Sequence, residues 1–240
     1  MSETVENSQR PCPKVIAGIP AYNQENNIGE VIRKASKYVD EVIVADDGST
    51  DNTAQVAEAA RAIVIRSEFN QGAGQATKTC FRIAKERDAD VLVTLDSDGQ
   101  HNAEEIPRFL APVIEREADL VIGSRFLDDN YNIPRYRRFG INVITSLLNI
   151  ASKVKVSDSQ SCFRAYGKRA IDSLHITEPG FAFSIELLVQ ARRKGLAISE
   201  VPISCIYHSE SHTRNPVVHG VGVALSVVRL RLKDCRKGLC

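Results

Sequence analysis

Apolar and polar residues follow two spacings in turn along the first half of the chain. Short runs rich in Val, Ile and Leu predict β-strands, and stretches with an apolar residue at every third or fourth position predict amphipathic helices. The predicted strands span residues 14–19 (ended by Pro20), 41–45, 62–65, 91–95 and 119–123. The predicted helices span residues 28–39, a stretch capped by Ser49 or Thr50, a segment from Gln75 to Lys85, and residues 103–117.

Strands that alternate with helices are typical of βαβ units, so this half of the chain predicts an α/β fold with a mainly parallel sheet flanked by helices. Right-handed crossovers place the carboxyl ends of all these strands at one edge of the sheet. Ligands of open α/β sheets bind beyond that edge. We therefore expect one crevice to collect the polar turns that follow the strands.

The second half of the chain is less regular. It predicts a polar loop, an amphipathic helix preceded by arginines, an exposed turn with a short strand, a further helix and an edge strand, at residues 128–132, 139–153, 157–166, 183–194 and 198–206. Residues 217–232 are apolar and are followed by a basic cluster. We expect a disordered leader over residues 1–13, one domain over 14–206, and a closing loop with a C-terminal helical appendage over 207–240.

Composition restricts the partners and the compartment. A formal net charge of +1 disfavours a strongly basic nucleic-acid binder, so no nucleic-acid partner is expected. Six cysteines without a C-x-x-C pair suggest reduced thiols in a cytoplasmic protein. The sequence shows neither a signal peptide nor a run of roughly 20 apolar residues that would span a bilayer.

Two carboxylates, Asp96 and Asp98, directly follow the apolar strand at 91–95. If the chain stays extended, Ser97 points the other way and both carboxylates lie on one side. Two hard oxygen ligands so placed suit Mg²⁺ or Mn²⁺, with the remaining ligands coming from substrate phosphates. The alternative is a turn that merely closes the strand, because Asp and Gly favour turns.

Polar residues at other strand ends extend this site. Asp47 suits a base or a ribose hydroxyl, with helix capping as the alternative role of its neighbours Ser49 and Asp51. Arg125 faces the same crevice, and Arg137 and Arg138 lie across a loop from it. Clustered arginines suit a phosphate-bearing ligand, although a solvated basic face has the same composition. The glycine pair in residues 70–75 lacks a complete phosphate-loop pattern and indicates a turn.

Five short motifs occur in an order that resembles the family 2 nucleotide-sugar glycosyltransferases of the GT-A fold, a Rossmann-like architecture. More narrowly, the chain is similar to the polyprenyl- and dolichyl-phosphate mannosyl- and glucosyltransferases. The motifs are Pro20-Ala21-Tyr22-Asn23, Asp46-Asp47-Gly48-Ser49-Thr50-Asp51, Asp96-Ser97-Asp98-Gly99-Gln100-His101, Gly123-Ser124-Arg125 and Ser161-Cys162-Phe163-Arg164-Ala165-Tyr166.

The resemblance implies roles for particular residues. The nucleotide sugar would be held by Pro20, Tyr22, Gln24, Ala45, Asp47, Asp96, Ser97, Asp98, Gln100, His208 and Arg214. The divalent cation would be held by Asp96, Asp98 and Gln100, and the acceptor phosphate by Arg125 with Arg137 or Arg138. Asp98 and Arg125 would be the catalytic residues.

The chain departs from the family pattern at several positions. Gln24 stands where the family usually has Glu, and Glu25 follows it. His208 stands where a permanently charged side chain is common, although histidine is only partly charged near neutral pH. Cys162 replaces the usual glycine before Phe163.

The implied activity is an inverting transfer of a hexose from a UDP- or GDP-linked sugar to a polyprenyl or dolichyl phosphate, feeding glycan assembly such as protein glycosylation. The enzyme is expected peripherally on the cytoplasmic face of a membrane, and residues 217–232 form either an interfacial helix or a helix packed on the core. The alternatives are a family 2 enzyme with a saccharide or other non-lipid acceptor, a haloacid-dehalogenase-type phosphatase, and a non-catalytic sugar-nucleotide binding module.

Overall fold

The computed structural model describes residues 12–128, 133–150 and 152–205 of the 240-residue chain. The strands are β1 (Val15–Ala21), β2 (Glu41–Asp46), β3 (Ile63–Arg66), β4 (Val91–Thr94), β5 (Leu120–Ser124), β6 (Arg164–Gly167) and β7 (Ile198–Pro202). The helices are α1 (Ile28–Ala35), α2 (Thr53–Ala59), α3 (Ala73–Glu86), α4 (Ile106–Ile114, after a 3₁₀ turn at Ala103–Glu105), α5 (Arg135–Asn149), α6 (Lys168–Ser173) and α7 (Phe183–Arg193).

The strands form one sheet in the order β3-β2-β1-β4-β6-β5-β7. Every pairing is parallel except those of β6, which runs antiparallel to both β4 and β5. The predicted α/β fold with a mainly parallel sheet is confirmed. Because β6 runs in the opposite direction, the residues just before it lie at the same edge as the carboxyl ends of the parallel strands.

Both faces of the sheet are buried against helices. Along β4, Leu92 joins the core cluster that includes residues of α3, α6 and α7, whereas Val93 joins the opposite cluster with residues of α1 and α4. Alternate residues of a strand point to opposite faces, so each strand contributes to both clusters. Full burial of a side chain such as Leu92 contributes about 1.5–3 kcal/mol. This two-sided core fixes the positions of the strand ends.

The first strand runs two residues further than predicted, through Pro20 to Ala21. The main chain of Gly18 faces β4, because its carbonyl accepts a hydrogen bond from the Leu95 amide at 3.3 Å. Pro20 lies two residues on and faces the same way, but β4 ends at Thr94, the partner of Gly18. The missing N–H of Pro20 therefore removes no ladder hydrogen bond, which is the condition for proline within a strand.

Helix α5 begins at Arg135 and ends at Asn149, not at 139 and 153 as predicted. Arg135, Arg137 and Arg138 therefore lie in its first turns, where Arg138 donates its amide to the Pro134 carbonyl at 3.1 Å. The helix stops because the Asn149 side chain bonds both the amide and the carbonyl of Val156, at 3.1 and 2.7 Å. This clamp turns the chain back toward the sheet.

The turn before β6 was predicted to be exposed, and this prediction is wrong. Asp158 and Ser159 have no exposed surface. Their polar composition suggested solvent, but their side chains are hydrogen-bonded within the protein, Ser159 to Thr145 Oγ1 at 2.8 Å and Asp158 to Arg125. Buried polar groups are tolerated when they are paired in this way.

The last described strand, β7, lies at the end of the sheet beside β5, which confirms the predicted edge position of Pro202. It ends at Pro202, and Cys205 then forms an isolated bridge with His101. The short helix α6 was not predicted, because its six residues are too few to show a helical repeat. Within the described ranges, no helix is long and apolar enough to cross a membrane.

Candidate active site

Loops from four parallel strands meet at one edge of the sheet. They follow β1, β2, β4 and β5, which run in the same direction. The segment 157–163 joins them from the start of the antiparallel strand β6. The prediction that the strand-end turns share one edge is confirmed.

The loops after β1 and β2 are bonded to each other. The Asn23 amide donates to Ser49 Oγ at 2.9 Å, and Asn23 Oδ1 accepts from the Thr50 amide at 2.9 Å. Ser49 and Thr50 therefore do not cap α2 as expected, since Asn52 occupies the N-cap position and its side chain makes no capping bond. Asp51 instead accepts the Thr53 amide at 3.0 Å, which agrees with its predicted place near the helix start.

Glu25 is committed to this same contact between loops. Its Oε2 accepts both the amide and the side-chain Nδ2 of Asn52, each at 3.0 Å. The Gln24 amide donates to Thr53 Oγ1 at 2.7 Å. The carboxylate that follows Gln24 is thus bonded to the β2 loop.

The predicted nucleotide-contacting residues of β1 and β2 differ in their exposure. Pro20 and Ala45 are direct partners in the sheet. The methyl group of Ala45 packs beneath α3 in a small cluster with Ala76 and Cys80 and is 2% exposed. Tyr22 is 41% exposed. Tyr22 can therefore offer its ring to a ligand, whereas the side chain of Ala45 is covered.

Asp47 is buried and holds the loop before α3. Its two carboxylate oxygens accept the amides of Gln71 and Gly72, each at 2.8 Å. Gly72 has φ of 104°, and a Cβ there would lie 2.5 Å from the Pro179 carbonyl oxygen. The glycine pair thus lies in a closely packed turn. This agrees with the turn that the sequence indicated for residues 70–75. The predicted base contact of Asp47 stays a prediction.

The acidic motif after β4 forms a turn, which is the alternative to an extended chain that the sequence left open. Strand β4 ends at Thr94, and residues 97–99 turn with φ of 74° at Gly99. Asp98 Oδ1 accepts the Gln100 amide at 3.0 Å. Ser97 is buried, whereas the Asp96 side chain is 40% exposed. Asp96 and Asp98 therefore present their carboxylates from a turn, so the two interpretations of this motif do not exclude each other.

The surroundings of this turn disfavour charge on both acids. Desolvation raises the pKa of Asp96 to about 6, although the charge of Arg125 lowers it. Desolvation also raises the pKa of Asp98, and the neighbouring charge of Asp96 raises it further. Two carboxylates in such a position are the arrangement that a bound cation stabilises.

His101 completes the turn, a role that the sequence did not assign to it. Its Nδ1 accepts the Asp96 amide at 3.1 Å, and its ring stacks on Phe163 with centroids 5.1 Å apart. Desolvation lowers the pKa of His101 to about 4, so the ring is neutral near pH 7 and carries its proton on Nε2. His101 therefore orients the main chain of Asp96. Its place directly after the acidic motif was the available signal.

Arg125 lies at the same edge and is paired with Asp158. Its Nε and Nη2 donate to the two oxygens of Asp158 at 2.7 and 2.9 Å. The charge of Arg125 also lowers the pKa of both Asp96 and His101, which places it close to the acidic turn. The structure thus brings together Arg125 and the predicted metal ligands. Sequence reasoning missed Asp158, because one aspartate in a polar turn carries no distinguishing pattern.

The remaining predicted contacts are only partly described. Arg137 is half-buried and Arg138 is exposed, and both lie near the start of α5. The loop that leads to them includes residues 129–132, which the structure does not describe. His208 and Arg214 lie outside the described residues, as do the predicted closing loop and C-terminal helix and residues 1–11 of the predicted leader.

The acidic turn fits a divalent cation that takes ligands from its substrate. Within the described part of the chain, no group of three or more His, Cys, Asp or Glu side chains could hold a metal ion. Asp96 and Asp98 could supply two hard oxygen ligands, and the Gln100 side chain could supply an amide oxygen. Mg²⁺ and similar ions are commonly bound by one or two carboxylates together with substrate phosphates.

The fold is that of the GT-A glycosyltransferases. The structure resembles glucosyl-3-phosphoglycerate synthase from Mycobacterium tuberculosis in complex with Mn²⁺ and UDP-glucose, with a TM-score of 0.71 and 25% identity over 93% of this chain and 79% of that one. The chain matches Glycosyl transferase family 2 over residues 17–174, and it belongs to that family. This membership excludes the phosphatase alternative.

Several similar proteins carry names that include an acceptor. The UDP-N-acetylglucosamine–dolichyl-phosphate N-acetylglucosaminyltransferase of Methanococcus voltae is 32% identical over 82% of this chain and 87% of that protein. The undecaprenyl-phosphate mannosyltransferase of Micrococcus luteus is 34% identical over 80% and 84%. The dolichyl-phosphate hexose transferase of Haloferax volcanii is 30% identical over 89% and 92%.

Proposed function

We propose that this family 2 enzyme transfers a hexose-type sugar from a nucleoside diphosphate sugar to the phosphate of a polyprenyl or dolichyl lipid. The observation that carries the proposal is the group of relatives named for lipid phosphates, each matching at least 80% of the chain. Arg125 beside the acidic turn is the local feature that suits it.

On the donor side, Asp96, Asp98 and Gln100 would hold Mg²⁺ or Mn²⁺. When bound, the ion neutralises charge on the diphosphate leaving group. The exposed ring of Tyr22 suits the base or the sugar. His101 keeps the main chain of Asp96 in place through its hydrogen bond to the amide.

On the acceptor side, Arg125 would hold the lipid phosphate. A phosphate monoester has a second pKa near 6, so its oxygen is already ionised near neutral pH and needs no strong general base. That oxygen forms a bond to the anomeric carbon while the bond from this carbon to the diphosphate breaks, and the nucleoside diphosphate leaves. A single displacement inverts the anomeric centre. Arg125 would position the acceptor and reduce repulsion between two anionic substrates.

Helix α5 suits a membrane surface, where such an acceptor resides. Its apolar side chains Tyr136, Phe139 and Val143, and that of Ile150 directly after its last residue, are 59%, 71%, 42% and 57% exposed and recur at helical spacing; we call them the α5 stripe. Residues 135–157 contain five Arg and Lys and no Asp or Glu. An apolar stripe among positive charges is typical of helices that lie on anionic lipid.

We place the enzyme peripherally on the cytoplasmic face of such a membrane. The cysteines that the described residues contain, Cys12, Cys80, Cys162 and Cys205, are free thiols. Free thiols in this number are typical of a reducing compartment.

A non-lipid acceptor is the second candidate, because the solved structure with a TM-score of 0.71 is a synthase of glucosyl-3-phosphoglycerate. The solved structure thus makes a phosphorylated small molecule the alternative acceptor.

Two assays separate the candidates. A thermal-shift screen of UDP-glucose, UDP-N-acetylglucosamine and GDP-mannose with Mn²⁺ identifies the donor, since a ligand stabilises the native state in proportion to its binding. The labelled donor is then incubated with farnesyl phosphate or 3-phosphoglycerate.

We expect label to enter the farnesyl phosphate product and not phosphoglycerate. Transfer to phosphoglycerate alone contradicts the lipid acceptor. Donor binding without transfer to any acceptor would instead support a non-catalytic binding module.

A further inference from the structure

A continuous set of partly buried hydrogen bonds connects β7, the described strand at one edge of the sheet, to Arg125. It runs from Glu200 on β7 through the turn at residues 157–158 to the Asp158 carboxylate, and from there to the Arg125 guanidinium. We call it the Glu200–Asp158–Arg125 chain. None of the predicted roles of the site used Glu200 or Asp158.

The Asp158 carboxylate is fully enclosed and saturated with donors. It has no exposed surface and accepts five hydrogen bonds, from the Arg125 amide, Nε and Nη2 and from the amides of Gln160 and Ser161. Three of these five bonds come from Arg125. These bonds therefore fit one orientation of the Arg125 side chain.

One edge of the Arg125 guanidinium is bonded to Asp158. Its Nε and Nη2 face Asp158, and its side chain is 15% exposed. Because the guanidinium is planar, the N–H groups of its other edge point away from Asp158. Its charge acts on Asp96, so it lies on the side of the acidic turn.

Glu200 fixes the turn that carries Asp158. Its carboxylate accepts the Ser157 amide at 2.8 Å, Ser157 Oγ at 3.0 Å and the Asp158 amide at 3.1 Å. Ser157 Oγ is also 2.6 Å from Ser124 Oγ at the end of β5, one residue before Arg125. The turn that carries Asp158 is thus bonded both to Glu200 on β7 and to Ser124 at the end of β5.

We propose that Asp158 is a positioning residue that orients Arg125 toward the acceptor phosphate, and that Glu200 sets the position of Asp158. This inference rests on the proposed function of Arg125 as the phosphate-binding group. A long flexible arginine that is fixed before binding loses less freedom when it holds a ligand. A buried ion pair is a weak source of stability compared with apolar packing, so the orientation of Arg125 is its specific contribution.

A double-mutant cycle tests the proposal. Asp158→Asn, Arg125→Ala and the double variant are compared for binding of farnesyl phosphate, followed by ³¹P NMR, and of UDP with Mn²⁺, followed by calorimetry. Asp119→Asn is the matched control, because Asp119 pairs with Arg169 just before the opposite end of β5.

We expect Asp158→Asn to weaken farnesyl phosphate binding about 10–100-fold, the range seen when an outer partner of a binding group is removed. UDP binding should change less than about twofold, and Asp119→Asn should alter neither affinity. In the Arg125→Ala background, Asp158→Asn should cause no further loss, because Asp158 acts only through Arg125. Equal losses of both ligands, or full additivity in the cycle, overturn the proposal.

Two further measurements keep the outcome independent of folding and of the proposed function. If Asp158→Asn does not fold, Glu200→Ala replaces it, with Glu200→Gln, which keeps one acceptor oxygen, expected to restore part of the binding. The Arg125 Nε–H NMR signal, identified by its loss in Arg125→Lys, should shift and exchange faster in Asp158→Asn. An unchanged signal contradicts the positioning role. A shifted signal in a protein whose wild type binds no farnesyl phosphate contradicts the lipid acceptor but not the orientation of Arg125 by Asp158.

Discussion

At the residue scale, the site balances two carboxylates against one arginine. Partial burial raises the pKa of Asp96 and of Asp98, and the charge of Asp96 raises the pKa of Asp98 further. Arg125 opposes this only in part, because its guanidinium is shared with Asp158. The acidic turn therefore lacks enough positive charge to balance both carboxylates. A divalent cation bound to the diphosphate would supply that charge.

Replacing Asp98 by Ala should abolish transfer while leaving the protein folded. Removal of one electrostatic group that acts in the transition state costs about 10²–10³-fold in rate. The thermal shift that UDP and Mn²⁺ give the wild type should disappear, because the ligand no longer stabilises the native state. Asp119→Asn serves as the control. Full transfer by the variant, or by wild type in excess chelator, would refute the metal role.

The Asp158 carboxylate should make stability depend on pH in one direction. Burial raises its pKa, but the charge and hydrogen bonds of Arg125 outweigh burial and hold the pKa of Asp158 below its usual value. A lowered folded-state pKa gives a contribution that is present above the ordinary Asp pKa of about 3.9 and is lost as the pH falls through the folded value.

Asp158→Asn should accordingly destabilise the protein by about 3–5 kcal/mol at pH 7, the cost of breaking a buried pair. Urea unfolding at pH 7 and at successively lower pH should show this difference shrinking as the wild type becomes protonated. A difference that stays constant down to pH 3 would contradict the pairing.

At the element scale, α5 presents an apolar stripe with positive charges at its start. Val143→Glu should lower binding to vesicles that contain anionic lipid, because it places a negative charge where the stripe would meet the membrane. The matched control is Ile114→Glu on α4, since Ile114 is 43% exposed and Val143 42%. Cosedimentation with vesicles measures both.

We expect about tenfold weaker binding for Val143→Glu, since roughly 1 kcal/mol is involved per charge near an anionic surface and apolar burial is lost in addition. Ile114→Glu should bind as the wild type does. Equal effects of the two variants would argue against α5 as the membrane-facing element.

The loop between β3 and α3 should depend on glycine at one position. Gly72→Ala meets the Pro179 carbonyl and a φ of 104°, whereas Gly180→Ala in the facing loop meets nothing within 4 Å. We expect Gly72→Ala to lower the free energy of unfolding by about 1–3 kcal/mol, through backbone strain and steric contact. Urea denaturation of both variants checks this, and a neutral Gly72→Ala would disprove the packing role.

The sequence predicted these elements to different extents. The apolar runs of β1, β2, β4 and β5 were clear because both faces of each strand are buried. Their order along the chain placed Asp47, Asp96 and Arg125 at one edge. The burial of Asp158 was not predictable, because its pairing with Arg125 spans 33 residues and depends on the antiparallel direction of β6. A polar turn is typical of exposed chain, and only its tertiary partners show otherwise.

At the scale of the whole molecule, the proposed reaction would use one edge of one sheet. The parallel strands β1, β2 and β4 would provide the donor side, and β5 with the turn before β6 carries Arg125 and its partner Asp158. The acceptor phosphate would thus approach from the side where α5 follows β5. The described residues include no membrane-spanning helix, so a lipid acceptor would be reached from the membrane surface.

The most direct test of this account follows phosphorus through the reaction. Wild-type protein is incubated with farnesyl phosphate, the diamagnetic ion Mg²⁺ and the nucleotide sugar that stabilises it, and ³¹P NMR records the products. We predict that the phosphomonoester signal converts to a phosphodiester signal while nucleoside diphosphate accumulates in equal amount. Consumption of the nucleotide sugar with the phosphomonoester signal unchanged would contradict it.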